Sequence, residues 1–189
     1  MSAGHQAPRP GASASSGDDP VTVVVPGGVY GPQAPDLISS FHAVLSALDV
    51  FMLVPPTGTT VLDVRDLALL LTRIVEHPDP GPRVLAGGHF LTWSEWVAEL
   101  EVAVGRPVAN QVVTREELMA MAEQLTAMAA ETGEEPLLGE EAAIVMSSGV
   151  PIDDAASLAR FGVEARPVAD TFADVIAFLR EIGRIPPAA

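Results

Sequence analysis

Neither cysteine nor lysine occurs in the 189-residue sequence. The absence of cysteine excludes a disulfide and a thiolate nucleophile, and it is typical of a cytoplasmic protein, which is the location we expect. Ten arginines oppose 25 aspartates and glutamates, so the net charge is −15. Because this charge repels nucleic acid and anionic membranes, we expect neither as a partner.

Long apolar runs are absent as well. No stretch reaches the roughly 18 apolar residues of a membrane span, and no apolar segment follows a basic start as in a secretory signal. The four histidines are scattered without ligand spacing, so we predict no metal site. Residues 1–20 are rich in Pro, Gly and Ser and predict a disordered tail, whereas residues 21–185 predict one folded domain.

The sequence Val-Thr-Val-Val-Val at residues 21–25 predicts a β-strand. Five consecutive β-branched residues are typical of a strand buried on both faces of a parallel sheet. Pro26 should end the strand, and the missing side chains of Gly27 and Gly28 allow a ligand or another backbone segment to approach closely. Open α/β sheets bind ligands at this end of their strands, so a ligand site and an ordinary loop both remain open here.

A helix is predicted to follow, with Asp36 as its cap. Residues 51–54 form a short apolar run, and residues 59–62 predict a strand. Asp63 should cap the next helix, with Asp66 in its first turn. Between them, Arg65 could meet a substrate phosphate, an acidic neighbour or solvent. The helix predicted to begin after Asp36 has an apolar face composed of Leu37, Phe41, Val44, Leu45 and Leu48.

Two capping boxes mark later helices. Thr92 and Glu95 form the first, whose helix should end at Gly105, and Thr114 and Glu117 form the second. Residues 83–88 predict a strand ending in glycines, and residues 108–113 predict another short strand.

The end of the chain predicts two more helices. The inner face of the last helix is predicted to consist of Phe172, Val175, Ile176 and Leu179.

Several of these stretches resemble one protein family, in the same order. They are Pro-Gly-Gly-Val-Tyr-Gly-Pro at 26–32, Asp-Val-Arg-Asp at 63–66, Leu-Thr-Trp-Ser-Glu at 91–95, and residues 152–179. Together they resemble the carboxyl-terminal half of extended short-chain dehydrogenases, the NAD-dependent epimerase/dehydratase family that includes dihydroflavonol-reductase-like enzymes. The resemblance implies that an aspartate, Asp153 or Asp154, caps a short helix and that Gly162 ends it, although Phe161-Gly162 departs from the more common Leu-Gly. The resemblance covers about residues 21–185.

This resemblance implies an α/β fold, a partial Rossmann-type parallel sheet with the small carboxyl-terminal substrate-binding lobe. Full-length relatives use NAD or NADP, and the implied nicotinamide-side residues are Pro26, Gly27, Gly28 and Val29.

The resemblance also implies a small-molecule substrate, a sugar nucleotide or a carbonyl compound. The residues it places toward substrate are Tyr30, Phe41 and Arg65. For Tyr30 and Phe41 the alternative is packing in the core, and for Arg65 the alternatives are an acidic neighbour and solvation at the surface.

The catalytic parts of the family are missing from this sequence. No glycine fingerprint stands between a first strand and a first helix. The family's acid/base tyrosine lies four residues before a lysine, but Ala34 lies four residues after Tyr30, and the chain has no lysine. We therefore predict no catalytic residue and no tight binding of NAD or NADP by this chain alone.

Three accounts fit such a chain. It is a truncated product of a longer gene, one half of a split enzyme whose amino-terminal half is supplied separately, or a non-catalytic binding or interaction module. An uncovered edge at residues 21–25 also predicts self-association.

Overall fold

The computed structural model describes residues 21–37, 40–133, 136 and 138–187. The predicted tail at residues 1–20 lies outside the described residues. The strands are β1 (Val23–Pro26), β2 (Val29–Tyr30), β3 (Met52–Val54), β4 (Gly58–Asp63), β5 (Arg83–Ala86), β6 (His89–Thr92) and β7 (Asn110–Val112). The helices are α1 (Ser40–Asp49), α2 (Val64–Glu76), α3 (Trp93–Val104), α4 (Arg115–Thr132), α5 (Glu140–Met146), α6 (Ala155–Phe161) and α7 (Val168–Glu181).

The strands pair in three short sheets. β1 pairs in parallel with β5, and β3 pairs in parallel with β7. β4 lies between β2, to which it is parallel, and β6, to which it is antiparallel. The α/β class and the parallel pairing predicted from the sequence are confirmed.

Most predicted helix ends are confirmed. Asp63 caps α2 by accepting a hydrogen bond from the Arg65 backbone N–H. Both capping boxes form, at the starts of α3 and α4. Gly105 and Gly162 lie in the left-handed region just after α3 and α6, with φ of 79° and 63°. These ends were predictable because caps depend on residues only a few positions apart.

Two predicted caps are wrong. Asp36 lies outside any helix, and α1 begins at Ser40, whose hydroxyl donates a hydrogen bond to the carbonyl oxygen of Val29. Asp154 occupies the N-cap position of α6, but its side chain makes no capping bond; its carboxylate instead accepts a hydrogen bond from the Gly88 N–H at 2.9 Å. At α6 a contact with the loop between β5 and β6 thus takes the place of the side-chain cap.

Three apolar clusters hold the elements together. The largest joins α1, α3 and α7 around Trp96 and Phe172, neither of which has exposed surface. A second lies between α2, α6 and the sheet of β1 and β5. The third packs α4 against α5. The predicted inner face of α7 is confirmed, since all four of its residues are buried.

The prediction that β1 is buried on both faces is wrong. Val24 packs against the second cluster, but Val23 is 53% exposed and Val25 is 37% exposed. In the described part of the chain, β1 has one partner strand, and the clusters cover only the face that carries Val24. A parallel strand is buried twice only when helices cover both faces of its sheet.

Candidate functional site

The loop after β1 is packed against the chain's own backbone. A Cβ on Gly27 would lie 2.6 Å from the carbonyl oxygen of Gly87, and one on Gly28 would lie 2.6 Å from that of Thr60. The Gly28 N–H also donates to the Thr60 hydroxyl at 3.0 Å. The sequence left two possibilities for the space beside these glycines, a ligand or another backbone segment. In the described residues, other backbone segments of the chain fill that space. Contact of residues 26–29 with a nicotinamide remains a prediction.

Tyr30 lies in the core at the end of β2. It is 5% exposed, its ring stacks on Phe172 with centroids 5.7 Å apart, and its hydroxyl accepts a hydrogen bond from Trp96 Nε1 at 3.2 Å. Burial raises the pKa of Tyr30 to about 12, although the bond from Trp96 acts in the opposite direction. The hydroxyl is therefore protonated at neutral pH, and the packing alternative accounts for its surroundings.

Phe41 belongs to the same apolar cluster as Tyr30. Its ring meets Phe178 of α7 edge to face, with centroids 5.9 Å apart. Both aromatic residues thus fill the core between α1, α3 and α7. Substrate contact by either remains a prediction, and it would require this core to open.

Arg65 lies in a network of charges that surrounds Asp63. The Asp63 carboxylate accepts bonds from Arg65 Nε and Nη2 at 2.8 and 2.7 Å, and from the Thr171 hydroxyl at 3.0 Å. Arg65 Nη1 lies 2.7 Å from Asp174. The sequence left three possible partners for Arg65: a substrate phosphate, an acidic neighbour or solvent. In the described residues its partners are the acidic side chains of Asp63 and Asp174. Its side chain is 36% exposed, so a substrate phosphate would have to compete with two carboxylates.

Hydrogen bonding sets the charge state of Asp63. Burial acts to raise the pKa of its carboxyl, but the bonds from Arg65 and Thr171 outweigh burial and leave that pKa below its usual value. The carboxylate is therefore ionised at neutral pH and ties α2 to α7.

Sequence reasoning missed Arg166 and Thr171 as members of this network. The Arg166 N–H donates to Asp66 at 2.7 Å, and its Nε lies 3.0 Å from the same carboxylate. A hundred residues separate Arg166 from Asp66, and no local pattern marks such a pair. Asp63, predicted as a helix cap, and Asp66, predicted to favour the helix dipole, thus also join distant parts of the chain.

Open depressions on the described surface include the following two. One, of about 600 Å³, is lined by Asp66 and Arg166 with α6 and the segment after it, and the other, of about 370 Å³, by α1 and Arg184. Tyr30, Phe41 and residues 26–29 line neither. Within the described ranges no group of three or more His, Asp or Glu could hold a metal ion, and none of the described helices is long and apolar enough to cross a membrane.

Solved structures share this fold over most of the chain. A nucleoside-diphosphate-sugar epimerase from Pseudomonas aeruginosa is 21% identical, with a TM-score of 0.65 over 87% of this chain and 49% of its own. The human epimerase family protein SDR39U1, solved with NADPH, is 16% identical, with a TM-score of 0.60 over 82% of this chain and 48% of its own. A UDP-glucuronic acid 4-epimerase from Bacillus cereus, solved with UDP-glucuronic acid and NAD, is 12% identical, with a TM-score of 0.57 over 86% of this chain and 46% of its own.

No protein-family model and no curated protein matches this sequence. The chain spans about half the length of the solved proteins that it matches. At identities of 12–21% the likeness concerns fold, and it confirms the resemblance to NAD-dependent epimerase/dehydratase structures at that level. This chain has the fold of the carboxyl-terminal part of those epimerases.

Proposed function

We propose that this chain is the substrate-binding half of an NAD(P)-dependent epimerase- or reductase-like protein. Its substrate would be a sugar nucleotide or a related carbonyl compound. The observation that carries the proposal is the match of more than four-fifths of the chain to about half of proteins solved with NAD or NADPH. The missing fingerprint and Tyr/Lys pair then belong to the other half of that protein.

The Tyr30 hydroxyl is not suited to the acid/base chemistry of hydride transfer. Such chemistry needs a group whose pKa lies near the working pH, or a neighbouring cation that brings it there. Tyr30 has a pKa raised to about 12 and a neutral hydrogen-bond partner, and the chain has no lysine. We therefore assign the proton-transfer groups to the other half.

The exposed valines of β1 support a missing second half. Val23 and Val25 lie on one face of a two-stranded parallel sheet, and that face has no covering helix in the described residues. Parallel sheets occur almost only with both faces covered. A nucleotide-binding half that added a strand beside β1 and helices on this face would bury both side chains.

Co-expression tests the proposal. The partner is the amino-terminal half of the Pseudomonas aeruginosa epimerase, the part that this chain does not match. We expect the two chains to purify together and to convert a UDP-sugar in the presence of NAD, while neither does so alone. The matched control carries phenylalanine in place of the partner's acid/base tyrosine, which should abolish turnover without preventing the complex.

Cofactor binding by the single chain gives a second test. With nothing to hold the pyrophosphate, we expect calorimetric titration with NADH or NADPH to show no binding tighter than about 1 mM, or about −4 kcal/mol. Micromolar affinity would contradict the assignment of the cofactor site to the other half.

A non-catalytic interaction module is the second candidate. It is favoured by the use of the predicted site residues in the chain's own packing: Gly28 bonds Thr60, and Tyr30 bonds Trp96. A stable complex of the two halves that binds NAD but has no turnover would favour this candidate over the first.

A further inference from the structure

The parallel strands β1 and β5 each run into a pair of glycines. Gly27 and Gly28 directly follow β1, and Gly87 and Gly88 directly follow β5. Because the two strands stay in register to their last residues, the two glycine pairs lie side by side at the carboxyl edge of this sheet. Open α/β sheets bind their ligands at that edge. The position of the two loops therefore matters for any ligand that the sheet helps to bind.

The loop after β5 is anchored on the segment that leads into α6. The Gly88 N–H donates to the carboxylate of Asp154, a buried side chain, at 2.9 Å. A Cβ on Gly87 would lie 2.6 Å from the Cβ of Ile152, and one on Gly88 would collide with the carbonyl oxygen of Val61. The backbone of this loop is thus fixed between β4 and the start of α6.

The loop after β1 is held by Thr60 of β4. The Gly28 N–H donates to the Thr60 hydroxyl oxygen at 3.0 Å, and the Gly28 carbonyl accepts from the Leu62 N–H at 2.8 Å. If the parallel ladder of β2 and β4 continued, the Gly28 N–H would donate to the backbone carbonyl of Thr60 instead. A side-chain hydroxyl thus replaces a backbone acceptor at the point where the pairing of these strands stops.

The Thr60 side chain also limits where this loop can lie. Thr60 is 8% exposed, and a Cβ on Gly27 would collide with its hydroxyl. The same Cβ would lie 2.6 Å from the carbonyl oxygen of Gly87 in the anchored loop. The backbone at Gly27 is therefore enclosed between Thr60 and the loop after β5, and the hydroxyl of Thr60 sets the direction of the Gly28 N–H.

We infer that Thr60 is a positioning residue, whose hydroxyl fixes the backbone of residues 26–29 beside the ligand at this edge of the sheet. The inference rests on the proposed function, in which that ligand is the cofactor or substrate of the completed protein. Thr60 is buried behind the loop and acts on the ligand through Gly28. Such an indirect role can be large, because a misplacement of about 1 Å can lower a reaction rate about 100-fold.

Hydrogen exchange of the Gly28 amide in the full chain tests the contact without any need for turnover. Thr60→Val keeps the shape of the side chain and removes the acceptor, so the amide should exchange at least about fivefold faster. Thr60→Ser keeps the acceptor and should keep exchange slow, and thermal melts verify folding. Thr60→Ala, which also lacks the hydroxyl, gives the same comparison if valine prevents folding. An exchange rate that is the same in wild type and Thr60→Val would overturn the inference.

Turnover of a UDP-sugar with NAD, in the complex with the co-expressed amino-terminal half, tests the role. Thr60→Val should lower kcat of the folded complex at least about tenfold with KM for the UDP-sugar unchanged, because it disturbs the alignment of the reactants and not their affinity. Thr60→Ser should recover kcat. A purely structural role would reduce the amount of folded complex and leave its kcat unchanged.

The matched control is Thr22→Val, the same chemical change at the opposite end of β1. The Thr22 hydroxyl donates to the carbonyl oxygen of Gly81 at 2.7 Å, far from the carboxyl edge, so its loss should leave kcat unchanged. Equal kcat in wild type and Thr60→Val, or equal losses in Thr60→Val and Thr22→Val, would overturn the inference and leave the proposed function standing. A wild-type complex without turnover would instead overturn the proposed function, and this inference with it.

Discussion

Trp96 and Val23 are both large apolar side chains, but Trp96 has no exposed surface whereas about half of Val23 meets solvent. Trp96 sits where three helices meet, with Phe172 and Trp93 in edge-to-face contact at 5.6 and 5.8 Å. Val23 sits on a two-stranded sheet covered on one face. The core between α1, α3 and α7 is thus complete within this chain, while the sheet of β1 and β5 leaves the face of Val23 and Val25 exposed in the described residues.

Replacement of Trp96 by alanine should have the largest effect. Loss of a fully buried tryptophan costs about 3–5 kcal/mol of the free energy of unfolding, because it leaves a cavity in the core. The control is Val23→Ala in the sheet of β1 and β5, which should change the free energy of unfolding by less than about 0.5 kcal/mol. Urea denaturation of both variants measures the difference, and similar losses would remove the contrast between the two regions.

Asp63→Asn should come next, with a loss of about 1.5–3 kcal/mol, because the bonds from Arg65 and Thr171 lose their charged acceptor. Folding lowers the pKa of Asp63, so its stabilisation is complete above the unfolded pKa of about 3.9 and is lost as pH falls through the lower folded pKa. The wild type should therefore lose stability below about pH 4 more steeply than Asp63→Asn. Parallel pH profiles in the two proteins would contradict the role of this carboxylate.

Tyr30→Phe should have the smallest effect of the three, about 1–2 kcal/mol, because it leaves the Trp96 N–H without its acceptor. Since burial raises the pKa of Tyr30 to about 12, its stabilisation is complete below about pH 10 and is lost as pH rises toward the folded value. Tyr30→Phe should not show this loss of stability at alkaline pH.

Tyr30 has two possible roles, packing in the core and contact with substrate. The kcat/KM of this chain in complex with the co-expressed amino-terminal half distinguishes them. An unchanged kcat/KM in Tyr30→Phe, together with the lower stability, would establish packing. A kcat/KM lowered at unchanged stability would instead place the hydroxyl at the substrate.

Contacts between residues close together in the sequence were predicted correctly, whereas contacts between residues far apart in the sequence were missed. The capping box of Thr92 and Glu95 needs only two residues, three positions apart, and it forms as predicted. The pair of Arg166 and Asp66 needs a fold that brings together positions a hundred residues apart, and nothing near either residue indicated it. The strand β6 was also missed, since His89–Thr92 is a strand only because β4 lies antiparallel beside it.

The sequence by itself determined the α/β class, most helix ends, the inner face of α7 and the lack of any lysine in this chain. These features follow from periodicity, local hydrogen bonds and composition. The tertiary structure alone decided that Tyr30 is buried beneath Trp96 and that Val23 is exposed. Burial is set by which elements cover a residue, and the same valine-rich strand is a core strand or an open edge according to the neighbours that pack against it.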